Sequence, residues 1–138
     1  MIKQNCLFCS IATGLMESAT VFENNDFKVV LDRFPAAPGH TLIMTKEHVD
    51  NIFDLDAETA AKMFALATVV ARSLKKAMGC DGMNILQNSG AVAGQTVHHF
   101  HLHLIPRFEN DDLSFKWKTK AFQEDELEEI ARNIQSEM

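Results

Sequence analysis

The sequence predicts an α+β domain whose helices pack on an antiparallel sheet of about five strands. Three observations lead there: short β-branched or aromatic runs bounded by turn residues, one long stretch with helical periodicity, and the order in which these elements alternate. Val21-Phe22 and Phe27-Lys28-Val29-Val30-Leu31 flank the turn-rich tetrad Glu23-Asn24-Asn25-Asp26 and read as a hairpin. Pro35-Ala36-Ala37-Pro38-Gly39 is a rigid loop, after which His40-Thr41-Leu42-Ile43-Met44 resumes as a strand. From about Asp56 to Met78 the pattern is helical, with Met63, Leu66, Ala67, Val70, Leu74 and Ala77 near a 3.6-residue period and Gly79 as the stop. Phe64, Ala65, Val69 and Met78 widen that stripe, so the helix packs on the sheet and on something else, either a second subunit or a second internal layer. Met83–Asn88, between Gly82 and Gly90, reads as a strand, and Ser89–Gly94 as a small-residue loop able to approach a ligand. His99–Ile105 follows as a strand closed by Pro106, and Leu127, Ile130, Ala131 and Ile134 mark a narrow stripe on an acidic terminal helix.

The 138 residues, 46% hydrophobic and 23% charged, fit one domain over 1–138, with a core over about 4–108 and a tail with a helix over 109–138. Thirteen Lys plus Arg against nineteen Asp plus Glu leave a net charge of −6, the wrong sign for tracking a nucleic-acid backbone. Three cysteines, Cys6, Cys9 and Cys80, are too few for a disulfide framework and suggest a reducing compartment. No apolar run approaches the roughly 20 residues of a membrane span, and no long apolar stretch follows Lys3. The expectation is a soluble cytoplasmic protein with no membrane partner.

Four of the six histidines, His98, His99, His101 and His103, fall in one stretch of six residues. Alternation in a strand puts His99, His101 and His103 on one face and His98, Phe100, Leu102 and Leu104 on the other. Such a row either converges on a metal or divides the labour, one end ligating, the middle ring attacking and the last contacting an anion. A merely polar face is the third reading, disfavoured because neighbouring imidazoles repel when protonated. Asn88 and Gly94-Gln95-Thr96, just upstream, supply amide and hydroxyl donors of the kind that hold phosphate oxygens. Cys6-Leu7-Phe8-Cys9 has the spacing for two thiolates on one tetrahedral zinc, with a redox dithiol and two unrelated buried cysteines as the alternatives. Cys80 reads as packing, His40 as a structural hydrogen-bonding group and His98 as a residue at the sheet surface or a dimer contact.

His99-Phe100-His101-Leu102-His103-Leu104-Ile105, preceded by Gly94-Gln95-Thr96, resembles the His-φ-His-φ-His-φ-φ motif (φ apolar) of the histidine-triad (HIT) family. The likeness extends through Phe8-Cys9-Ser10-Ile11, Val30-Leu31-Asp32, Pro38–Ile43 and Lys46–Val49, covers roughly residues 4–108, and is strongest to the Hint-like and bacterial branch. It implies a HIT-like fold, a homodimer, and hydrolysis or transfer at the α-phosphate of purine nucleotide conjugates through a nucleotidyl-histidine. Phosphoramidates, aminoacyl adenylates and dinucleoside polyphosphates are the candidate substrates, and a catalytically weak nucleotide-binding adaptor and a metal-handling protein are the competing classes.

By position, the resemblance makes His101 the nucleophile, with the His99 carbonyl fixing its tautomer. His103, Gln95 and Thr96 become contacts of the α-phosphate and leaving atom, Asn88 a pocket residue, and Asp32 the acceptor from ribose hydroxyls. Phe8, Ile11, Val30 and Leu31 become base-pocket or core residues. It also completes a structural zinc site, Cys6, Cys9, His48 and His99. The chain departs from the family at Met44-Thr45-Lys46 in place of Ile-Pro-Lys, at Thr96 in place of Ser, and in its longer tail with Arg107, Lys116, Trp117, Lys118 and Lys120.

Overall fold

A computed structural model describes residues 2–138. Three α-helices and five strands follow in order among the described residues: α1 Leu7–Ala12, β1 Thr20–Glu23, β2 Phe27–Leu31, β3 Thr41–Thr45, α2 Ala57–Met78, β4 Gly82–Leu86, β5 His101–Arg107 and α3 Glu124–Ser136, with a short 3-10 turn at Ala91–Ala93. The five strands form one antiparallel sheet, as the sequence predicts, and their order is β1-β2-β3-β5-β4.

The period-2 alternation sorts the sheet into two faces. Phe27, Val29, Ile43, Leu102 and Leu104 join Met63, Ala67, Val70 and Leu74 of α2 in the larger core cluster. Burying each of the larger of these side chains stabilises the fold by roughly 1.5–3 kcal/mol. Val30, Leu42 and Met44 point the other way and pack with Cys6, Phe8, Cys9 and Ala12 of the N-terminal segment. His103 pairs with Leu42 and His101 with Met44, so both imidazoles rise on this second face.

Local chemistry sets most boundaries. Asn24 Oδ1 accepts from the backbone N–H of Asp26 at 2.9 Å and of Phe27 at 2.7 Å, closing the β1–β2 turn. Asp56 caps α2 by accepting from the Thr59 N–H at 2.8 Å, and Gly79 ends it in the left-handed region at φ 64°. Gly39 combines φ +86° with a close approach: a Cβ there would lie 2.8 Å from Met78 Cγ and 3.3 Å from Pro106 Cγ.

Two expectations are corrected and one element is added. Helix α1, unread in the sequence, is a single short helix whose first turn is capped by the Cys6 sulfur, which accepts from the Cys9 N–H at 3.4 Å. Strand β5 starts at His101 and not at His99; the Phe100 N–H instead donates to the Val49 carbonyl at 2.7 Å. Pro106 does not close the strand but lies inside it, paired with Met83. The β3 ladder ends at Thr41–Leu104, so residue 106 needs no N–H on that side and proline costs nothing.

Candidate functional site

Two side-chain clusters and one cavity share the α1 face of the sheet. The first cluster joins Cys6 and Cys9, at the start of α1, to His48 and His99 from loops after β3 and before β5. Their ligand atoms all lie within 4.8 Å of one another. Cys6 Sγ is 3.4 Å from His99 Nδ1, and Cys9 Sγ is 3.3 Å from His48 Nδ1 and 3.5 Å from His99 Nδ1. Sulfur and nitrogen on one tetrahedral zinc stand roughly 3.5 Å apart, so the spacing fits an ion at the centre.

The far side of each ring fits too. His48 Nε2–H donates to Asp50 Oδ1 at 2.6 Å and His99 Nε2–H to the Thr45 carbonyl at 2.7 Å. Each ring proton is therefore on Nε2, and both Nδ1 lone pairs face the thiols, the orientation that metal-ligating histidines take from such partners. Burial pushes His99 down to about 4, keeping it a neutral donor. Burial also raises the Cys9 thiol above its ordinary range. Four protein donors leave no open position, which makes the set structural in type.

The second cluster, Asp32, His40 and His103, also brings its ligand atoms within 4.8 Å, yet it is wired differently. The Ala36 N–H donates to His40 Nδ1 at 2.9 Å, so the His40 proton is on Nε2. That Nε2–H donates to His103 Nδ1 at 2.8 Å, with Asp32 Oδ2 at 3.5 Å. The contact leaves the one proton of neutral His103 on its own Nε2. A cation bound at His40 Nε2 would force the proton to Nδ1, against the Ala36 donor; this cluster places protons. Burial lowers the pKa of His40, and burial followed by His101 and His40 brings His103 down to about 4, so both rings are neutral at pH 7.

Between these clusters stands His101, buried and edge-on to Phe8 with ring centroids 4.8 Å apart. Its Nδ1–H donates to the His99 carbonyl at 2.6 Å, which leaves the Nε2 lone pair free. Burial holds its pKa below the ordinary histidine value, against the pull of that hydrogen bond. His101 and His103 lie with ring centroids 4.9 Å apart and both line a cavity of about 730 Å³. Phe8, Ile11, Val30, Leu31, Asp32 and Thr96 line it with them.

Two expected site residues lie elsewhere. Gln95 is buried, but its Oε1 accepts from the Gly90 N–H at 2.8 Å and its Nε2 donates to the carbonyls of Asp50 at 2.7 Å and Val97 at 3.2 Å. A buried amide must satisfy its bonds, and these tie the loop before β5 to Asp50 of the cysteine–histidine cluster. Asn88 does not line the cavity either; its Nδ2 reaches the Gly94 carbonyl at 3.4 Å. His98 is exposed and Cys80 is buried as a free thiol, as the sequence suggests. The residues missed beforehand are Leu7, Met16, Arg33, Phe34 and Val97 on the cavity wall, and Thr45 and Asp50 behind the histidines. Most of these lie in loops, where the alternation rule carries no signal; Leu7 sits in α1 and Thr45 ends β3.

The HIT domain family model matches residues 14–110. Protein hit of Bacillus subtilis is 35% identical over 134 residues, 95% of this chain and 92% of the relative. Adenylylsulfatase HINT3 of Arabidopsis thaliana is 32% identical over 126 residues, 91% of this chain and 62% of that protein. Among solved structures, SMU.412c from Streptococcus mutans superposes with a TM-score of 0.94 at 40% identity, covering 98% of this chain and 86% of that one. A HIT family protein from Bacillus anthracis gives 0.93 at 38% identity, with 98% of both chains covered. A zinc-bound histidine triad family protein from Mycobacterium smegmatis gives 0.76 at 38% identity over 84% of both. The five-strand fold agrees with these solved structures, and the chain belongs to the HIT domain family.

Proposed function

We propose that this protein hydrolyses or transfers nucleotidyl groups at the α-phosphate of purine nucleotide conjugates. The observation that carries the reading is His101, whose Nδ1–H is committed to the His99 carbonyl while its Nε2 lone pair is left free at a cavity shared with Asp32 and His103. The size, about 730 Å³, is within the range of small-molecule sites. An adenylylsulfatase among the relatives supports chemistry at a nucleotide phosphate.

In this mechanism His101 Nε2 attacks the α-phosphorus and the bond from phosphorus to the leaving group breaks, the departing atom taking its proton from solvent. His103 Nε2–H donates to the charge that builds at the phosphate, a role in which one preorganised donor is worth about 10²–10³ in rate. Water then attacks phosphorus, the N–P bond breaks, and neutral His101 returns. Asp32 accepts from the ribose hydroxyls, and Phe8, Ile11, Val30 and Leu31 pack on the base. Gln95 and Asn88, hydrogen-bonded within the loop before β5, hold that loop beside the phosphate site.

Zinc, held by Cys6, Cys9, His48 and His99, would supply a structural crosslink between the N-terminal segment and the turn that delivers His101. Its presence in a histidine triad relative supports this. A homodimer is supported by exposed Phe64 and Val69 on the outer face of α2 and by Ile85 on β4, an edge strand of the sheet.

The test is turnover of adenosine and guanosine phosphoramidates and diadenosine polyphosphates by wild type and His101→Ala, with acid quenching to trap the nucleotidyl enzyme. His101→Ala is expected to abolish turnover and trapping together. Full turnover in that variant would overturn the mechanism, and nucleotide affinity without any turnover in wild type would favour the adaptor class.

A further inference from the structure

Lys28 lies in β2, one strand in from the edge of the sheet, and is only 7% exposed. It pairs with Met44 of β3 and stands two residues from Val30, so alternation turns its side chain to the α1 face. A buried ammonium is costly unless an acceptor meets it. The register offers one, since Glu23 of β1 lies directly opposite Lys28. Its carboxylate instead takes the Lys46 ammonium at 2.9 Å. Lys46, and Lys28 after it, hold Glu23 below the ordinary carboxylate range. Among the described residues, none makes a hydrogen bond or an ion pair with the Lys28 ammonium. Every fully buried side-chain nitrogen or oxygen among them has a partner, so the unpartnered Lys28 Nζ reaches open space.

That space is a cleft of about 460 Å³ at the end of α1, a volume within the range of small-molecule sites. It is distinct from the cavity of His101. Helix α1 stands between the two: Phe8 and Ile11 line the cavity, Ala12 and Thr13 line the cleft, and no residue lines both. Two ammonium groups, Lys28 and Lys46, and two carboxylates, Glu23 and Glu47, share the wall of the cleft. Lys46 and Glu23 satisfy each other, and Glu47 is engaged elsewhere. Lys28 is the charge left over, and the group that would complete it is an anion. Ile2 and Ala12 give the body of such a ligand an apolar wall, and Asn25, exposed on the rim, adds an amide donor.

We propose that this cleft is a second anion site, in which the Lys28 ammonium binds the carboxylate or phosphate of a small molecule. A lysine that merely passes its ammonium along an apolar stem to water is the competing account. The two differ in whether anions saturate the cleft. The inference stands apart from the nucleotide reading of the His101 cavity, and either can fail without the other.

The test is an NMR titration of the full-length, zinc-loaded chain carrying 13C at the lysine ε-carbons, with Lys28 assigned through the backbone. Inorganic phosphate and acetate are added separately at fixed pH, each against chloride at equal ionic strength. The Lys28 ε-resonance is expected to move saturably with at least one of them, and the tighter of the two identifies phosphate or carboxylate as the class. Lys28→Met, which keeps a buried unbranched stem, should weaken that binding at least about tenfold by calorimetry. Movement no larger than that with chloride, or undiminished binding in Lys28→Met, would overturn the site. A Lys28 shift that disappears in His101→Ala would assign the anion to the nucleotide cavity and overturn it equally. Should Lys28→Met fail to fold, the titrations of wild type and His101→Ala decide alone.

Discussion

Cys6–Cys9–His48–His99 and Asp32–His40–His103 are built from similar donors at similar spacings, each compact enough for one ion. They differ in what lies behind the rings. Acceptors, the Asp50 carboxylate and the Thr45 carbonyl, pull the protons of His48 and His99 outward and leave lone pairs pointing inward. A donor, the Ala36 N–H, does the reverse at His40, so the chain of rings ends with His103 holding its proton on Nε2. Proximity of ligand atoms therefore does not make a metal centre. The partner of the remote nitrogen decides.

The largest effect that could break this comparison is loss of the first cluster. Cys6→Ser is expected to release about one zinc per chain, seen by metal analysis, and to lower the unfolding midpoint more than any other change considered, because the crosslink is folding free energy. Chelation should likewise remove activity only as fast as it unfolds the protein, followed by circular dichroism and turnover in parallel. If Asp32→Asn released zinc instead, the two clusters would have been assigned the wrong way round.

Next in size, His40→Ala should lower turnover by about 10²–10³ while zinc content is unchanged, since His103 loses the contact that holds its tautomer. His40→Gln, which keeps a donor, should recover part of the rate, a result that a purely packing role for His40 would not produce. A smaller effect is expected at Asp50→Asn, which should weaken zinc about 10–100-fold in a chelator competition without a comparable loss of rate.

The smallest effect is a pH slope. His103 is held near 4 in the folded chain against an ordinary 6.5, by burial first and then by His101 and His40, with Asp32 opposing. The native state then binds fewer protons than the unfolded one, so this contribution is present above about 6.5 and is lost as pH falls towards 4. Denaturant titrations across that window should show a shallower acid loss for His103→Asn with zinc retained. An unchanged slope would mean that His103 titrates as an exposed ring.

Strand β2 and helix α2 were legible almost to the residue because both carry their own signals: a β-branched run behind a turn, and an apolar stripe between Asp56 and Gly79. Helix α1 was not, because six residues with a sulfur cap have no periodicity to read and lean on the cysteine–histidine cluster. Within the site, the shared side of His101 and His103 follows from strand alternation, whereas His99 precedes the strand and turns to the cysteines. The loop carbonyls that hold the Gln95 amide could not be read from the sequence, because a donor-rich motif says that an amide will be satisfied, not by what.

By itself the sequence determined the chemical inventory and the two faces of the sheet: which side chains can ligate, attack or donate, and on which side of β5 His101 and His103 emerge. Only the tertiary structure decided where each proton resides. A ring's tautomer depends on its contacts, and those join Ala36 to His40 to His103, and Thr45 to His99 to Cys6. No local periodicity encodes such a chain of contacts, because its members meet only when the sheet brings β3 beside β5.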